Sequence, residues 1–364
     1  MKVAILAPLV SVMREPQRGG SQAFVCDLAR GLVDRGHDVD LYAASGSTLP
    51  GVNVVDTGVD HRALQATLYR SSATVARGLD VADTAFARVY GAVGESGYDV
   101  VHNHAFDAPA VARASSLTAP VVHTLHLPPD VEVADALRQA AVGKTPPAVA
   151  CVSAHQASSW RRVLPVDAIL PPLVPTRSIR FSTRAGDGAV FAGRLSPEKG
   201  AAEAIEIAQA AGVRIDLFGD SYDDEYARER IQPRGAETGV VVHPAVPRTS
   251  LWQVMASAAV VLCPARWEEP FGMAAAEAQA CGTPVVAFRR GALAEVILDG
   301  VTGFLVAPED VRAAADAVSR APGLSRLQCR AHAESRLDLE SSLDAHEQLY
   351  ERLASTRAGS ISRG

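Results

Sequence analysis

Long apolar runs are missing from this sequence. Its 364 residues contain no stretch of about 20 consecutive apolar residues, the length that a helix needs to cross a bilayer. The short apolar run over Met1–Pro8 lacks the long hydrophobic region and the cleavage site of a signal peptide, so we predict a strand there. We therefore expect no transmembrane segment and a cytoplasmic location.

The sequence also has few cysteines and few lysines, and its net charge is not positive. The five cysteines are scattered and odd in number, which argues against a disulfide framework and favours a reducing compartment. The formal net charge is -6, so the whole molecule has no field that attracts nucleic acid, although a local basic patch stays open. The only lysines are Lys2, Lys144 and Lys199, so a lysine at a given position suggests a required shape.

Apolar strand-like runs alternate with helical patterns through both halves of the chain. Strands are predicted at 2–7, 39–43, 52–55, 100–102, 121–124 and 148–153, and then at 190–192, 213–218, 240–242, 260–263, 285–288 and 302–306. The principal predicted helices lie at 61–96, 201–211, 250–258, 271–281 and 339–354, and the tail beyond Ala354 is predicted to be disordered. Such alternation with short links predicts parallel sheets with helices on both faces.

A proline cluster at Pro165, Pro171, Pro172 and Pro175 marks the predicted boundary between two domains. We expect two doubly wound α/β domains, 1–174 and 175–338, with the helix at 339–354 packing back onto the first. Ligands bind at the carboxyl ends of strands in open α/β sheets. We therefore expect the site in a cleft between the two domains.

The segment Gly193–Gly200 begins where the predicted strand 190–192 ends, and it precedes a predicted helix. Its Arg194 can form paired hydrogen bonds to phosphate oxygens, and Lys199 adds a compact positive charge. Two fixed cations can stabilise the charge that builds on a departing diphosphate without a metal ion. A surface loop with two solvated basic side chains fits the same residues, but the scarcity of lysine favours the first interpretation.

Glu269 and Glu277 lie eight positions apart around the predicted helix 271–281. On a continuous helix this separation is a rise of about 12 Å, too far for the carboxylates to share a proton. We expect them to bind different parts of an extended ligand, Glu269 the hydroxyls of a sugar and Glu277 a ribose diol. Gly272 lets the helix start close to a phosphate. An acidic first turn with Glu277 on a solvated face is the alternative, but the small apolar residues around Glu277 predict a partner for its carboxylate.

Three shorter patterns fit local structure at least as well as they fit a ligand. Gly19-Gly20-Ser21 lies between the first predicted strand and helix, where it forms either a phosphate-binding turn or a tight structural turn. Asp38-Val39-Asp40 matches the Asp-x-Asp pattern of metal-dependent sugar transferases, but its position indicates a turn and strand start. Asp220–Glu225 either rims a nucleotide pocket or, as we favour, starts a solvated helix.

Two histidine pairs follow predicted strands of the first half, His102-Asn103-His104 and His123-Thr124-Leu125-His126. Their spacings allow a zinc site, but no cysteine or carboxylate is evidently paired with them, and they leave separate strands. A histidine at a strand end is better suited to donate a hydrogen bond to a substrate or to shuttle a proton. We treat the remaining histidines as structural or surface residues: His37, His61, His155, His243, His332 and His346.

Together these motifs resemble the retaining glycosyltransferases of the GT-B fold that carry a Glu-x7-Glu motif, the family 4-like group related to glycogen synthase and phosphatidylinositol mannosyltransferase. The resemblance covers nearly the whole chain. Its specific parts are Gly193–Gly200 and Glu269–Pro284, with a weaker match from Gly291 to Val306. In the first half it is looser and rests on Gly19-Gly20 and on His126. It implies two Rossmann-like domains, the first for the acceptor and the second for a nucleotide-sugar donor.

The resemblance also implies a set of site residues. Arg194 and Lys199 would hold the donor diphosphate, and Gly20 would lie near the phosphates. Glu269 would contact the transferred sugar and Glu277 the ribose, while His126 would lie by the sugar and assist catalysis. The implied catalytic set is His126, Glu269, Arg194 and Lys199, and the donor-binding set adds Gly19, Gly20, Gly193, Phe271, Gly272, Met273 and Glu277. No cofactor and no active-site metal ion are implied.

The expected reaction moves a hexose-type sugar, with retention, from a nucleotide diphosphate sugar to a hydroxyl of a small molecule or saccharide. A UDP-sugar is favoured over a GDP-sugar, and the leaving phosphate acts as base in a front-face attack. Phe218-Gly219-Asp220 replaces the glycine-rich turn often found in the family, which leaves base recognition open. The alternatives are a non-catalytic nucleotide-sugar binder of this fold and a dinucleotide oxidoreductase, although no G-x-G-x-x-G fingerprint follows a predicted strand.

Acceptor recognition is expected in first-domain loops around 8–20, 60–80, 104–112 and 126–145, where the sequence offers no motif. The basic amphipathic helix that lipid-modifying members often carry is missing, which disfavours a lipid acceptor but leaves peripheral membrane contact open. The expected partners are therefore a nucleotide sugar and a hydroxyl-bearing small molecule, with no nucleic acid. The sequence does not indicate an oligomeric state.

Overall fold

The computed structural model describes residues 1–68, 75–143, 145–221, 223–235 and 237–361, and the side chains outside 65–80 and 357–364. The predicted acceptor loops at 60–80 and 126–145 thus lie partly outside the described residues. Lys144 and Tyr222 lie outside them entirely. The chain divides into two compact units. Unit 1 comprises Met1–Arg14, Ser21–Pro171 and Ser342–Gly364, and unit 2 comprises Glu15–Gly20 and Pro172–Ser341.

Unit 1 is built on a parallel sheet that has seven strands within the described ranges, in the order β3-β2-β1-β4-β5-β6-β7. The strands are β1 (Lys2–Leu6), β2 (Asp38–Ala43), β3 (Asn53–Asp56), β4 (Val100–Asn103), β5 (Val121–Leu125), β6 (Ala148–Cys151) and β7 (Ala168–Ile169). The residues of β4, β5 and β6 are buried without interruption, as expected for parallel strands that helices cover on both faces.

The helices of unit 1 connect these strands in sequence order. They are α1 (Gly20–Asp34), α2 (His61–Leu68), α3 (Val75–Glu95), α4 (Ala108–Ala112), α5 (Val131–Ala141) and α6 (Ala154–Trp160). Asp130 and Ser153 cap α5 and α6, because their side-chain oxygens accept hydrogen bonds from first-turn amides. Phe24 and Leu32 of α1 are fully buried, and burying such side chains contributes about 1.5–3 kcal/mol each.

Unit 2 contains a second parallel sheet, six-stranded over the described residues, in the order β10-β9-β8-β11-β12-β13. Its strands are β8 (Ala189–Ala192), β9 (Ile215–Phe218), β10 (Val240–His243), β11 (Val260–Cys263), β12 (Val285–Phe288) and β13 (Gly303–Val306). Its helices are α7 (Ala201–Ala210), α8 (Asp224–Tyr226), α9 (Gln232–Gly235), α10 (Arg248–Ser257), α11 (Met273–Ala280), α12 (Leu293–Val296), α13 (Val311–Arg320) and α14 (Arg326–Arg336).

The last helix, α15 (Leu339–Ile361), belongs to unit 1 from Ser342 onward. Its Leu343 and Tyr350 are buried. Leu343 packs so closely on Gly31 of α1 that a Cβ atom on Gly31 would lie 2.6 Å from its Cδ1. The absence of a side chain on Gly31 therefore allows α1 and α15 to pack.

The predicted fold class is confirmed, since both sheets are parallel and alternate with helices along the chain. The predicted end of the last helix near Ala354 was wrong, because the helix continues to Ile361. A helix that is already nucleated on packed residues extends at little further cost. No helix within the described ranges combines the length and the apolarity that a membrane crossing requires.

Candidate active site

The strongest sequence motifs lie at the topological switch point of unit 2. The chain runs from β8 outward through β9 and β10, and then places β11 on the other side of β8. In open parallel sheets ligands bind where the strand order reverses in this way, at the carboxyl ends of the two strands. The Gly193–Gly200 segment follows β8, and the loop 264–272 follows β11. The two motifs therefore occupy the same edge of one sheet.

Lys199 and Glu269 join these two loops through an ion pair. The Lys199 Nζ lies 2.9 Å from Oε1 and 2.7 Å from Oε2 of Glu269. Trp267 contacts both partners, because its indole N–H donates to Glu269 Oε2 at 2.8 Å and its ring centroid lies 4.8 Å from Nζ. Glu269 is buried and Lys199 is half-buried. Sequence reasoning missed Trp267, whose only signal was an aromatic residue two positions before Glu269.

Arg194 and Gly200 flank this pair on the first loop. The Arg194 Nη2 lies 3.1 Å from Oε1 of Glu198, and both side chains are partly exposed. Gly200 adopts a left-handed conformation with φ +73°, and a Cβ atom there would lie 1.9 Å from the carbonyl oxygen of Pro264. Only glycine fits where the two loops approach, so Gly200 fixes the distance between Lys199 and the second loop.

The helix α11 starts later than predicted. The sequence pattern predicted 271–281, whereas the helix spans Met273–Ala280 and Gly272 precedes it with φ +106°. Glu269 therefore lies on the loop before the helix, and the 12 Å rise of a continuous helix does not describe its separation from Glu277. The helix does not extend backwards past Met273. Gly272 has a left-handed backbone conformation, and Pro270 lacks the N–H group that a residue inside a helix donates. Phe271 is buried, and Met273 is half-buried.

Glu277 has the partner that its apolar surroundings predicted. Its Oε1 lies 2.8 Å from Nε and 2.7 Å from Nη2 of Arg248, the first residue of α10. Both side chains are only 7% exposed. Arg248 is 29 positions away in the sequence and belongs to no motif, so nothing in the sequence indicated this contact.

The predicted Gly19-Gly20 turn lies in a segment, Glu15–Gly20, that belongs to unit 2. Arg18 Nε lies 2.9 Å from Oδ2 of Asp220, the second residue after β9. A Cβ atom on Gly20 would lie 3.2 Å from Cγ of Met273, whereas one on Gly19 would meet nothing within 4 Å. Gly20 and the start of α11 are therefore adjacent, and the segment Glu15–Gly20 adds residues from the first part of the chain to the motifs of unit 2.

The other predicted site lies at the strand ends of unit 1, where four aromatic rings form a histidine cluster: His102, His104, His126 and His346. The Nδ1 of His104 and the Nε2 of His126 are 3.0 Å apart, and the rings of His102 and His104 have centroids 4.0 Å apart. His102 contacts the Tyr350 hydroxyl through Nδ1 at 2.5 Å. His346, which the sequence predicts to be a structural or surface residue, is fully buried and belongs to this cluster.

The rings of the histidine cluster are electrically neutral at neutral pH. Burial lowers the pKa of His126 to about 3 and that of His346 to about 4. Burial, and then the proximity of the other histidines, holds the pKa of His102 and of His104 well below the usual value. A neutral imidazole has one donor and one acceptor nitrogen, so one of the two rings donates in this contact and the other accepts, which couples the tautomers of His104 and His126.

The remaining patterns have local structural roles. Among the described residues, no group of three or more His, Cys, Asp or Glu side chains has the arrangement of a metal site. Asp38-Val39-Asp40 begins β2, as predicted. Asp223 caps α8 by accepting a hydrogen bond from Tyr226 N at 2.9 Å, so the acidic segment does start a helix. Its Tyr222 lies outside the described residues.

The turn after β9 lies beside an aromatic pair. The ring of Phe218 stacks on His243, with centroids 4.4 Å apart and planes 8° apart, and His243 Nε2 lies 2.9 Å from Asp216 Oδ1. A Cβ atom on Gly219 would lie 1.9 Å from the carbonyl oxygen of Gly193. This single glycine therefore provides the close approach between the turn and the Gly193–Gly200 loop.

Two family models match this chain, one for each half. Residues 18–177 match Glycosyltransferase Family 4, and residues 186–331 match Glycosyl transferases group 1. The D-inositol 3-phosphate glycosyltransferase of Acidothermus cellulolyticus is 31% identical over 89% of this chain and 83% of its own length. The protein is thus a glycosyltransferase. It belongs to the glycosyltransferases whose first half matches the Family 4 model and whose second half matches the group 1 model.

Two solved structures share the fold of this chain. The sucrose-phosphate synthase of Thermosynechococcus elongatus has a TM-score of 0.78 and 20% identity, covering 98% of this chain and 100% of its own. Anabaena HepE in complex with UDP-glucose has a TM-score of 0.72 and 21% identity, covering 98% and 100%. The predicted GT-B fold is confirmed.

Proposed function

We propose that this glycosyltransferase moves a hexosyl group, with retention of configuration, from a nucleotide diphosphate sugar to a hydroxyl of a small molecule or saccharide. The contact between Lys199 and Glu269 carries this proposal. It places a cation suited to phosphate and a carboxylate suited to sugar hydroxyls side by side, at the strand ends where parallel sheets bind ligands. The HepE complex with UDP-glucose supports a UDP-sugar as the first donor to test.

Each residue of the site has a separate task in this proposal. Lys199 and Arg194 bind the diphosphate and stabilise the negative charge that grows on it as the sugar leaves. Glu269 accepts hydrogen bonds from the hydroxyls of the transferred sugar, and Glu277 accepts from the ribose. His126, in unit 1, donates a hydrogen bond to the sugar from Nδ1, in the tautomer whose Nε2 accepts from His104.

The chemical step exchanges one bond to the anomeric carbon for another. The bond from that carbon to the β-phosphate oxygen breaks, and a bond from the acceptor hydroxyl oxygen forms on the same face of the sugar. The acceptor proton passes to the leaving phosphate, so no protein base is required. We propose that the two basic side chains carry the phosphate charge without a metal ion.

A panel of UDP-, GDP- and ADP-sugars, each with and without EDTA, tests the proposal. A donor at about 100 times its dissociation constant adds about 2.7 kcal/mol of stability, which raises the melting temperature. We expect one class of donor to stabilise the protein and to release its nucleotide slowly by hydrolysis, whether or not EDTA is present. A panel in which no donor binds would overturn the proposal, and nucleotide release that EDTA abolishes would overturn the metal-independent step.

The same panel distinguishes the alternative of a non-catalytic binder. Such a protein would be stabilised by a donor and would release no nucleotide with any hydroxyl acceptor. The curated relatives are named for an inositol phosphate acceptor, so D-inositol 3-phosphate belongs in the acceptor set beside simple saccharides. Faster nucleotide release with one of these acceptors would identify its chemical class.

A further inference from the structure

Arg248 is the one buried cation that contacts a carboxylate of the proposed donor site among the described residues, yet it belongs to no recognised motif. Its Nε and Nη2 both contact the same oxygen of Glu277, Oε1, at 2.8 and 2.7 Å. The second oxygen, Oε2, lies outside these two contacts. Both contacts are to one carboxylate oxygen, and they leave the other oxygen to accept from a further donor.

The rest of Arg248 is held from other sides. Its guanidinium carbon lies 5.0 Å from the ring centroid of Trp252, which is buried one turn further along α10. Its backbone N–H donates to Glu15 Oε2 at 3.3 Å, in the segment that also carries Gly20. An arginine held by these contacts presents its N–H donors in one direction, whereas the arginine of a flexible surface ion pair does not.

A buried pair of this kind is poorly explained as a stabilising device. Removing both charges from water costs several kcal/mol per ion, and well-packed apolar residues at the same positions are often as stable or more so. Glu277 lies in the helix that starts at Met273, next to Gly20, and its other neighbours in that helix are alanines and a glutamine. The pair therefore makes better sense as a way to orient a carboxylate for a ligand.

Resting on the proposed function, we propose that Arg248 is a positioning residue for the donor nucleotide. It holds Oε1 of Glu277 and thereby directs Oε2 to the vicinal hydroxyls of the ribose. In this arrangement Arg248 does not touch the donor. Its effect on binding passes through Glu277 and is confined to the ribose.

Isothermal titration with UDP and with 2′-deoxy-UDP measures this effect directly, together with GDP and 2′-deoxy-GDP. The wild-type protein is expected to bind the ribonucleotide at least about tenfold more tightly, the equivalent of about 1.4 kcal/mol. Glu277→Gln and Arg248→Gln should each lower that ratio to below about threefold, and Arg248→Lys should give an intermediate value. Arg194→Gln is the matched control, because losing a phosphate contact weakens both ligands and leaves the ratio unchanged.

The outcomes separate this inference from the proposed function. A wild-type protein that binds none of UDP, GDP and ADP would overturn the donor assignment itself. A wild-type protein that binds each nucleotide and its deoxy form equally would overturn the ribose contact while leaving the transferase proposal intact. An Arg248→Gln protein that keeps the wild-type ratio would show that Arg248 is only structural.

Folding of the variants is checked separately. If Arg248→Gln does not fold, Arg248→Lys keeps the charge and the test, because lysine cannot hold Oε1 through two nitrogens. A folded Arg248→Lys protein with the full wild-type ratio would then count against the proposal. The double variant Arg248→Lys/Glu277→Gln should show the same ratio as Glu277→Gln alone, since the arginine acts only through the carboxylate.

Discussion

The Lys199 ammonium lies within hydrogen-bond distance of both carboxylate oxygens of Glu269, 70 positions further along the chain. The pair holds both side chains in place before any ligand arrives, which lowers the ordering cost of binding. In the proposed complex the donor exchanges these contacts for its own, with phosphate oxygens replacing the carboxylate at Lys199 and sugar hydroxyls replacing the ammonium at Glu269.

Removing either member of this pair is expected to slow sugar transfer. Lys199→Ala and Glu269→Gln should each lower kcat/KM at least about tenfold, a loss of about 1.4 kcal/mol in the transition state. Steady-state nucleotide release with the donor identified by the panel measures the change. Arg312→Ala is the control, because Arg312 is exposed on α13 and should leave the rate unchanged. Wild-type rates in both site variants would contradict the assignment of Lys199 and Glu269.

Gly291 supports Glu269 through the backbone. It has φ +56°, and a Cβ atom there would lie 2.2 Å from the carbonyl oxygen and 2.3 Å from the nitrogen of Glu269. Gly291→Ala should therefore displace Glu269 and abolish most of the activity. Gly300→Ala is a matched control, since Gly300 has φ +76° with open space around it and should lose only about 1–2 kcal/mol of unfolding free energy. Melting curves and turnover numbers for both variants distinguish displacement from simple backbone strain.

The buried histidines should make unit 1 sensitive to acid. Burial lowers the pKa of His123 to about 3, whereas an unfolded histidine titrates near 6.5. Between these two values the unfolded chain binds a proton that the folded chain excludes. Stability is therefore fully present above about pH 6.5 and falls as the pH drops below it, by about 1.4 kcal/mol per pH unit for each such histidine.

Melting temperatures measured from pH 8 to pH 4.5 check this dependence. His346→Leu removes one titrating ring, so its melting temperature should fall less steeply with pH than that of the wild type. Equal slopes in the two proteins would mean that His346 does not contribute to the acid sensitivity.

The contact between Gly31 and Leu343 predicts a compensating pair of substitutions. Gly31→Ala should destabilise the protein by about 1–3 kcal/mol because the new methyl group overlaps Leu343. Leu343→Ala should cost about 2–5 kcal/mol because it leaves a cavity. The double variant should be more stable than the sum of the single losses, since the smaller side chain at position 343 makes room for the new methyl group at position 31. Chemical denaturation of the four proteins gives the coupling free energy, and strict additivity would contradict the packing.

Most of the sheet architecture could be predicted because each buried parallel strand leaves a pattern within a few residues of sequence. The strands β4 and β5 each begin with two valines, β6 is apolar throughout, and Pro120 and Pro147 directly precede β5 and β6. The motif residues Lys199 and Glu269 were also recognisable, since each follows a predicted strand. The start of α11 was misplaced because an alanine-rich stretch gives no signal of where its first turn begins, and Gly272 alone decides it.

The partners of the motif residues could not be predicted from the sequence. Arg248 meets Glu277 because α10 and α11 lie directly before and after β11 in the chain, and His102 meets Tyr350 across 248 positions. Neither contact leaves a periodic pattern or a spacing in the sequence. Such pairs depend on the order of strands in the sheet and on where the last helix packs, which are decided by long-range packing.

The packing of α15 determines when each unit can be completed during synthesis. Unit 2 consists almost entirely of Pro172–Ser341, so nearly all of its residues have left the ribosome before the last helix is made. Unit 1 starts with the first strand but requires Leu343, His346 and Tyr350 for its core. The nascent chain therefore carries an unfinished unit 1, with an uncovered apolar face on α1, until α15 has been made. Unit 1, whose first strand is synthesised before any other element, is therefore the last of the two units to complete its core.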